Sequence, residues 1–518
     1  MTRLRRASAV FVRLDQRSGT PLHRQIYDGV RGAILSGTLA PGVGLPSTRG
    51  FAEDLGVSRT TVLLAFGLLR AEGYIVATEA SGTFVARELP DALLVAARPP
   101  KAEAGYRHPS LSRRGEAIVA SPRSGPRIGS RPRSFRIGVP TAPRIAPAPR
   151  PFRIGTPAVD LFPVTTWARI AARHLRRITT VMLDYGEPGG HRPLREAIAA
   201  HVGVSRGIRC SADQVILVAG AQQGLDFAAR MLLDPGDAAW LEEPGYLGAR
   251  SALVAAGARI VPVPVDAEGL DVAAGVRRAP RARMAYVSPS HQYPLGVALS
   301  LERRLALLKW ARSASAWILE DDYDSEYRYG CHPLTALHGL DPDGRVVYVG
   351  TFSKTLFPAL RLGFLIVPED LVDRFLMARA VADQHPPALE QVLLTDFIVE
   401  GHFSRHLRRM RGIYQERLEA LLDSARRHAA GALTIRSADS GLQVVAELAP
   451  GIRNVAVSAA AAARDVEASP LSLYYLGESL TPGLLLGFAS VDAERIERGM
   501  RQLVAAIEST RREGKGGP

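Results

Sequence analysis

The chain has 518 residues, 47% of them hydrophobic, and carries 65 Lys+Arg against 51 Asp+Glu, a formal net charge of +14. That length is too great for one ordinary domain and allows at least one large core. With no leader-like N-terminus and no apolar run long enough to cross a bilayer, the expectation is a soluble, cytoplasmic protein without a membrane partner, and the only cysteines, Cys210 and Cys331, lack the spacing of a metal site or a disulfide framework.

Charge is unevenly distributed. Residues 1–150 hold 23 Lys+Arg and 10 Asp+Glu, whereas the remaining 368 hold 42 and 41. An acidic polymer is therefore the expected partner of the first third, and a small molecule or nothing that of the rest.

In chain order, Leu22, Ile26, Val30 and Ile34 follow Pro21 at the spacing of a helix that buries one face. Ser47 is placed to cap a short helix containing Phe51 and Leu55 and stopped by Gly56. Ser58 caps a third helix with Val62, Ala65, Phe66 and Leu69 inward, ended by Gly73, and strands over 74–78 and 83–86 follow around the turn Glu79-Ala-Ser-Gly82. Three helices and a hairpin make a winged helix-turn-helix. Its exposed Ser58-Arg-Thr-Thr61 end suits contact with base edges and phosphates; the plainer account makes Ser58 a cap and Arg59 a solvated charge.

Residues 88–150 read as a basic linker, rich in Pro and Arg toward its end. Within it Phe135-Arg-Ile-Gly-Val-Pro140 nearly repeats in Phe152-Arg-Ile-Gly-Thr-Pro157, through slippage in low-complexity sequence or as a second docking copy. From about 151 onward strands alternate with helices, the pattern of an α/β domain with a mostly parallel sheet. Buried strands are expected at Val215–Val218, Ala238–Glu242, Met284–Val287, Trp317–Leu319 and Val346–Val349, with ligands gathering where they end.

Four of the 65 basic residues are lysines, Lys101, Lys309, Lys354 and Lys515. Only an amine can shed a proton near neutrality and condense with an aldehyde, and Lys354 alone ends a buried-type strand beside small hydroxyls, in Gly350-Thr-Phe-Ser-Lys354, with Arg361 seven positions on. Earlier, the turn Ala219-Gly-Ala-Gln-Gln223 opens a helix whose free amides form an anion site. The carboxylate run Glu320-Asp-Asp-Tyr-Asp324 can keep a ring nitrogen protonated. Phosphate cradle, the aromatic lid Tyr246, carboxylate and lysine come in the order of a pyridoxal-phosphate site.

The first segment resembles the GntR-type winged helix, through Leu45-Pro-Ser-Thr-Arg49, Leu55-Gly-Val-Ser-Arg-Thr-Thr-Val62, Leu69-Arg-Ala-Glu-Gly-Tyr74 and Gly82-Thr-Phe-Val85. The resemblance implies contacts to double-stranded operator DNA from Arg49, Ser58, Arg59, Thr60, Ser81 and Gly82. Leu63 and Leu64 depart from it, being apolar where some relatives place a polar or basic contact. Over nearly its whole length the chain resembles the MocR/GabR subfamily of GntR regulators, further carried by Asp184-Tyr-Gly-Glu-Pro-Gly-Gly-His-Arg-Pro-Leu-Arg195 and Ser288-Pro-Ser-His-Gln-Tyr-Pro-Leu-Gly296.

That resemblance implies a winged helix over 1–87 and, over 151–518, a fold-type I aminotransferase-like domain that binds pyridoxal 5'-phosphate and dimerises head to tail. It implies Lys354 as the cofactor-linking lysine, Asp321 as partner of the pyridine nitrogen and Tyr323 as donor to the ring oxygen. Ala221, Gln222, Thr351, Ser353 and Arg361 bind phosphate, Tyr246 stacks on the ring, and Tyr185 reaches the cofactor of the partner subunit. Arg250 and His291 face the effector, an amine, an amino acid or the vitamer itself. Where aminotransferases of this fold place a carboxylate-clamping arginine, the chain has Leu485, so transamination is expected to be absent or vestigial, with Arg250 available as a substitute. The leading reading is a cofactor-dependent transcription regulator. Its rivals are a working aminotransferase with a DNA-binding appendage and a repressor that uses the domain only as a scaffold.

Overall fold

A computed structural model of the chain describes residues 12, 14–15, 18–78, 82–86, 149–329, 334–435, 439–477 and 482–515. These fall into two compact units, divided at Ser110 and Leu111. Nearly all of the expected linker, the first copy of its repeat and Ser81 lie outside the described residues.

In the first unit, α1 (Leu22–Leu35) buries Ile26, Tyr27, Val30, Ala33 and Ile34, the stripe its periodicity predicts. Helix α2 (Thr48–Leu55) begins where the Ser47 hydroxyl accepts the Gly50 amide at 3.1 Å and ends at Gly56, whose φ of 64° suits glycine. Helix α3 (Arg59–Ala71) is capped in the same way, Ser58 Oγ accepting from Thr61 N at 3.1 Å. Edge-on packing of Phe51 against Phe66, ring centres 5.3 Å apart, fixes α2 on α3. Strands β1 (Ile75–Thr78) and β2 (Gly82–Val85) pair antiparallel, Ile75 opposite Val85, and the Leu45 amide donates to Thr83 O at 2.8 Å, tying the approach to α2 to this wing.

The second unit is built on an eight-stranded sheet in the order β3-β10-β9-β8-β7-β4-β5-β6. Its strands are β3 (Val215–Val218), β4 (Ala238–Glu243), β5 (Arg259–Asp266), β6 (Gly269–Leu270), β7 (Met284–Val287), β8 (Trp317–Asp322), β9 (Val346–Thr351) and β10 (Gly363–Ile366). Pairs among β5, β4, β7, β8 and β9 run parallel, whereas β10 is antiparallel to both its neighbours. Separate apolar clusters cover the two faces, one with Leu241, Tyr286 and Leu319, the other with Trp240, Ala285 and Ile318, which explains why β3, β7 and β8 read as continuous apolar runs. A second sheet, in the order β11 (Leu433–Ile435), β12 (Gln443–Leu448), β14 (Gly483–Gly487) and β13 (Ser469–Pro470), follows toward the C-terminus.

Strand β8 corrects the expected boundary at Leu319. It continues through Glu320, Asp321 and Asp322, all buried. The flanking carboxylates are tolerated because both are paired. Glu320 accepts the Leu337 and His338 amides at 2.8 Å, and Asp322 Oδ2 pairs with buried Arg206 at 2.8 Å and accepts the Tyr348 hydroxyl at 2.7 Å.

Candidate functional site

The carboxyl ends of β3, β8 and β9 carry the chemistry. Asp321 sits at the end of β8 with one oxygen accepting the Tyr286 hydroxyl at 2.9 Å, while its other oxygen, Oδ1, is buried with no hydrogen-bond partner. Burial raises this carboxyl to about 7; the Tyr286 hydrogen bond and Lys354 oppose the rise, and Asp322 and Asp324 add to it. A buried, orphaned acceptor is costly unless something donates to it. A protonated ring nitrogen would be such a donor.

Lys354 stands just beyond β9, half-buried by area but with its amine enclosed, where Nζ donates to Gly155 O at 2.7 Å. Burial lowers its pKa, and Asp324 and Asp321 pull the other way. Burial thus favours the neutral amine, the form that condenses with an aldehyde, and the two carboxylates oppose it. Gly155 has φ 69°, a conformation that favours glycine, and a Cβ there would lie 2.9 Å from Lys354 Nζ, so the lysine tip would have to move to accommodate it.

The Tyr323 hydroxyl lies 3.0 Å from His291 Nδ1, which lies 2.9 Å from Asp324 Oδ1. His291 is 4% exposed, and burial disfavours its charge, but Asp324 outweighs that and raises its pKa. Its contacts are to Tyr323 and Asp324, with Gly441 covering the ring so closely that a Cβ there would lie 2.0 Å from Cε1. The loop bearing His291 hangs on buried Glu242, which accepts from Ser288 Oγ at 2.8 Å and from Gln292 Nε2 at 3.3 Å.

At the end of β3, Gly220 (φ 93°) precedes α4 (Ala221–Leu232), whose first amides have no side-chain cap. Arg361, itself at φ 51°, crosses this turn and donates to Ala219 O at 2.5 Å; a Cβ on Gly220 would come within 3.3 Å of its guanidinium. Ser353 N donates to Thr351 Oγ1 at 3.2 Å close by in sequence. An uncapped helix start with an arginine across it is the kind of arrangement that can hold an anion. Gln222 turns its side chain to Gly248 O at 2.9 Å, bracing the helix Leu247–Ala256 that Tyr246 caps. The Tyr246 ring meets Tyr293 edge-on at 5.5 Å, and Arg250 lies half-buried one turn along. Tyr185 is 78% exposed, its ring 5.9 Å from that of His385, and is not brought to the pocket of its own chain.

Leu485 is fully buried in β14, packed with Leu247, Val445, Leu471 and Tyr474, and with Ile154, Tyr293 and Leu295 against the cluster. Ile154 adjoins Gly155, Leu247 adjoins Tyr246, and Tyr293 touches Tyr323 edge-on at 5.9 Å. Leu485 thus sits in a cluster of aliphatic and tyrosine side chains that holds no cation, with the Tyr293 and Tyr474 hydroxyls 3.2 Å apart. Tyr286 escaped the sequence reading, Gly155 was noticed only as part of a repeat, and Asp324 only as a member of the carboxylate run. A lone tyrosine in β7 and an aspartate three residues past Asp321 were the available signals.

Of the residues expected to contact DNA, Arg49, Ser58, Arg59 and Thr60 are exposed at the starts of α2 and α3, Arg59 Nε lies 3.5 Å from Thr48 Oγ1, and Gly82 opens β2 at φ 108°.

Fold and site together define a pyridoxal-phosphate domain of aminotransferase fold-type I, carried by a chain that begins with a winged helix. The chain matches the family described as bacterial regulatory proteins, gntR family, over residues 22–85 and aminotransferase class I and II over residues 152–503. The probable rhizopine catabolism regulatory protein MocR of Rhizobium meliloti is 42% identical over 494 residues, 95% of each chain. The HTH-type transcriptional regulator TauR of Rhodobacter capsulatus is 34% identical over 513 residues, 94% of this chain and 96% of its own. Among solved structures, LysN, the α-aminoadipate aminotransferase of Thermus thermophilus complexed with N-(5'-phosphopyridoxyl)-L-leucine, is similar at 32% identity and a TM-score of 0.65, covering 70% of this chain and 92% of that one.

The chain belongs to the MocR-type GntR transcriptional regulators, and its aminotransferase-like domain takes pyridoxal 5'-phosphate. The residues fit that group: Asp321 Oδ1 lacks a donor, the helix start after Gly220 has no side-chain cap, and the Lys354 amine lies close enough to Asp321 and Asp324 to feel both charges. When bound, the cofactor supplies an aldehyde and an electron-withdrawing pyridinium. No helix among the described residues is long and apolar enough to cross a membrane.

Proposed function

We propose that this regulator senses an amine lacking an α-carboxylate, acting in the cytoplasm as a head-to-tail dimer on an operator duplex. In this reading Lys354 holds the cofactor covalently, Asp321 keeps its ring nitrogen protonated and Tyr323, held by His291, donates to the ring oxygen. The amides of Ala221 and Gln222, with Thr351, Ser353 and Arg361, hold its phosphate, and Tyr246 lies over the ring. Arg250 and His291 border the effector, and Arg49, Ser58, Arg59, Thr60, Ser81 and Gly82 contact DNA.

The observation that carries this reading is Leu485. A buried leucine among aliphatic and tyrosine side chains offers nothing to a carboxylate, whose transfer into such surroundings without a cation is strongly unfavourable. Proton removal at a substrate carbon also needs its C–H bond held across the ring, the orientation a carboxylate clamp secures, and misplacement by about an ångström lowers a rate on the order of a hundredfold. Transamination of amino acids is accordingly vestigial.

The test is spectroscopic. Near-visible absorption of the holoprotein should respond to simple amines more strongly than to common amino acids, and borohydride reduction with peptide mapping should place the cofactor on Lys354. Lys354→Ala should abolish covalent attachment, and Leu485→Arg should shift the response toward amino acids. Rapid multiple turnover by the unaltered protein with any common amino acid would favour the enzyme reading instead.

A further inference from the structure

Helix α3 turns Val62, Ala65, Phe66 and Leu69 into the core. At about 100° per residue the opposite face is Thr60, Leu63, Leu64, Gly67 and Leu68. Leu63, Leu64 and Leu68 are 48%, 55% and 36% exposed, and nothing lies within 4 Å of where a Cβ on Gly67 would stand. Leu63 and Leu64 rise one turn beyond Arg59 and Thr60, so the leucines continue the surface that begins at the exposed start of the helix. Three neighbouring exposed leucines on a 13-residue helix call for a covering partner.

Duplex DNA is the partner the surroundings select. The patch is continuous with the DNA-facing end of a GntR winged helix, and the first 150 residues carry 13 more basic than acidic side chains. In the major groove adenine, guanine and cytosine present donors and acceptors, which a leucine would desolvate without replacing their hydrogen bonds. One group there is apolar, the C5 methyl of thymine.

We propose that Leu63 and Leu64 read thymine. Each half-site carries thymines whose C5 methyls pack on these two side chains, and discrimination at those positions comes from the methyl group rather than from hydrogen bonding. The bare Gly67 leaves room for the helix to lie close to the bases. This inference rests on reading α3 as the recognition helix.

The experiment uses the full cofactor-loaded chain and duplexes selected by it from a random library. Each selected thymine is then replaced by deoxyuracil, which keeps the base pair and removes only the methyl. Wild-type affinity should fall about fourfold per methyl at one or two positions of each half-site. In Leu63→Ala and Leu64→Ala, which keep a helix-favouring residue, the same replacement should have no further effect. Leu64→Ser serves as a second variant with the same expectation. If wild type binds its selected duplex yet no thymine-to-deoxyuracil change weakens it, or the alanine variants weaken equally on both duplexes, the inference fails while DNA binding by the unit stands. A change of oligomeric state in the leucine variants, without a changed methyl response, would assign the patch to a second copy and overturn it too. No binding to any duplex would sink the recognition-helix reading along with it.

Discussion

Asp321 concentrates the logic of the pocket in one side chain. A solvated aspartate releases its proton near 3.8, whereas burial takes Asp321 to about 7. Between those values the folded, cofactor-free protein binds a proton that the unfolded chain does not, so the group's contribution to stability falls as pH rises through this window and stays low above it. Asp321→Asn removes the titration. Without cofactor, the variant should gain stability relative to wild type on going from pH 5 to pH 8, by on the order of 2 kcal/mol, read from urea unfolding at the two pH values. The same change removes the charge that favours a protonated ring nitrogen, and cofactor affinity should drop roughly tenfold to a hundredfold, measured by equilibrium dialysis. A variant that bound cofactor as tightly as wild type would separate Asp321 from the ring.

Strand β14 and the segment 151–157 show how an element far from the lysine in sequence sets its surroundings. Phe152 is fully buried at φ 66°, its carbonyl accepts the Gly487 amide at 3.0 Å, and Ile154 and Gly155 follow directly into the pocket. Gly487 has no room for a side chain, since a Cβ would lie 2.1 Å from Arg153 O. Gly487→Ala must therefore push the segment off β14. We expect a loss of stability on the order of 1–3 kcal/mol and, because Gly155 O moves away from Lys354, slower formation of the covalent link to added cofactor in stopped-flow absorption. Unchanged kinetics in a destabilised variant would show that the segment supports the fold alone.

For the whole molecule, the exposed side of the second unit bears on assembly. Leu183, Tyr185, Met377 and Val381 are 75%, 78%, 71% and 89% exposed in one subunit, an apolar surface suited to burial against a second copy. If Tyr185 serves the pocket of the partner subunit, mixing Lys354→Ala chains with Tyr185→Ala chains creates one intact pocket per mixed dimer. In an equal mixture half of the dimers are mixed, so intact pockets, and with them cofactor loading by absorbance per chain, should recover to about a quarter of wild type. Recovery no greater than the average of the two parents would place Tyr185 outside the site.

Much of this was legible from residue order. Lys354, Asp321, the Gly220 turn and the capped helices of the first unit are local chemistry: a strand end, a helix start or a serine three residues before an amide announces itself within a few positions. Leu485 was also found where an anchoring arginine was expected, though only its packing with Leu247, Val445, Leu471 and Tyr474 shows what that end of the pocket offers instead. What required tertiary structure was every relation made across distance. The Gly155 carbonyl on Lys354 spans 199 residues, the Tyr286 hydroxyl on Asp321 spans 35, and Asp322 joins β8 to Arg206 across 116. The run Glu320-Asp-Asp322 read as following a strand that ended at Leu319; it is strand, with Glu320 and Asp322 fully bonded and Asp321 bonded through one oxygen only. Local sequence carries propensity and chemical type, but whether a buried charge is paired or left waiting for a ligand depends on which distant segments the fold brings against it.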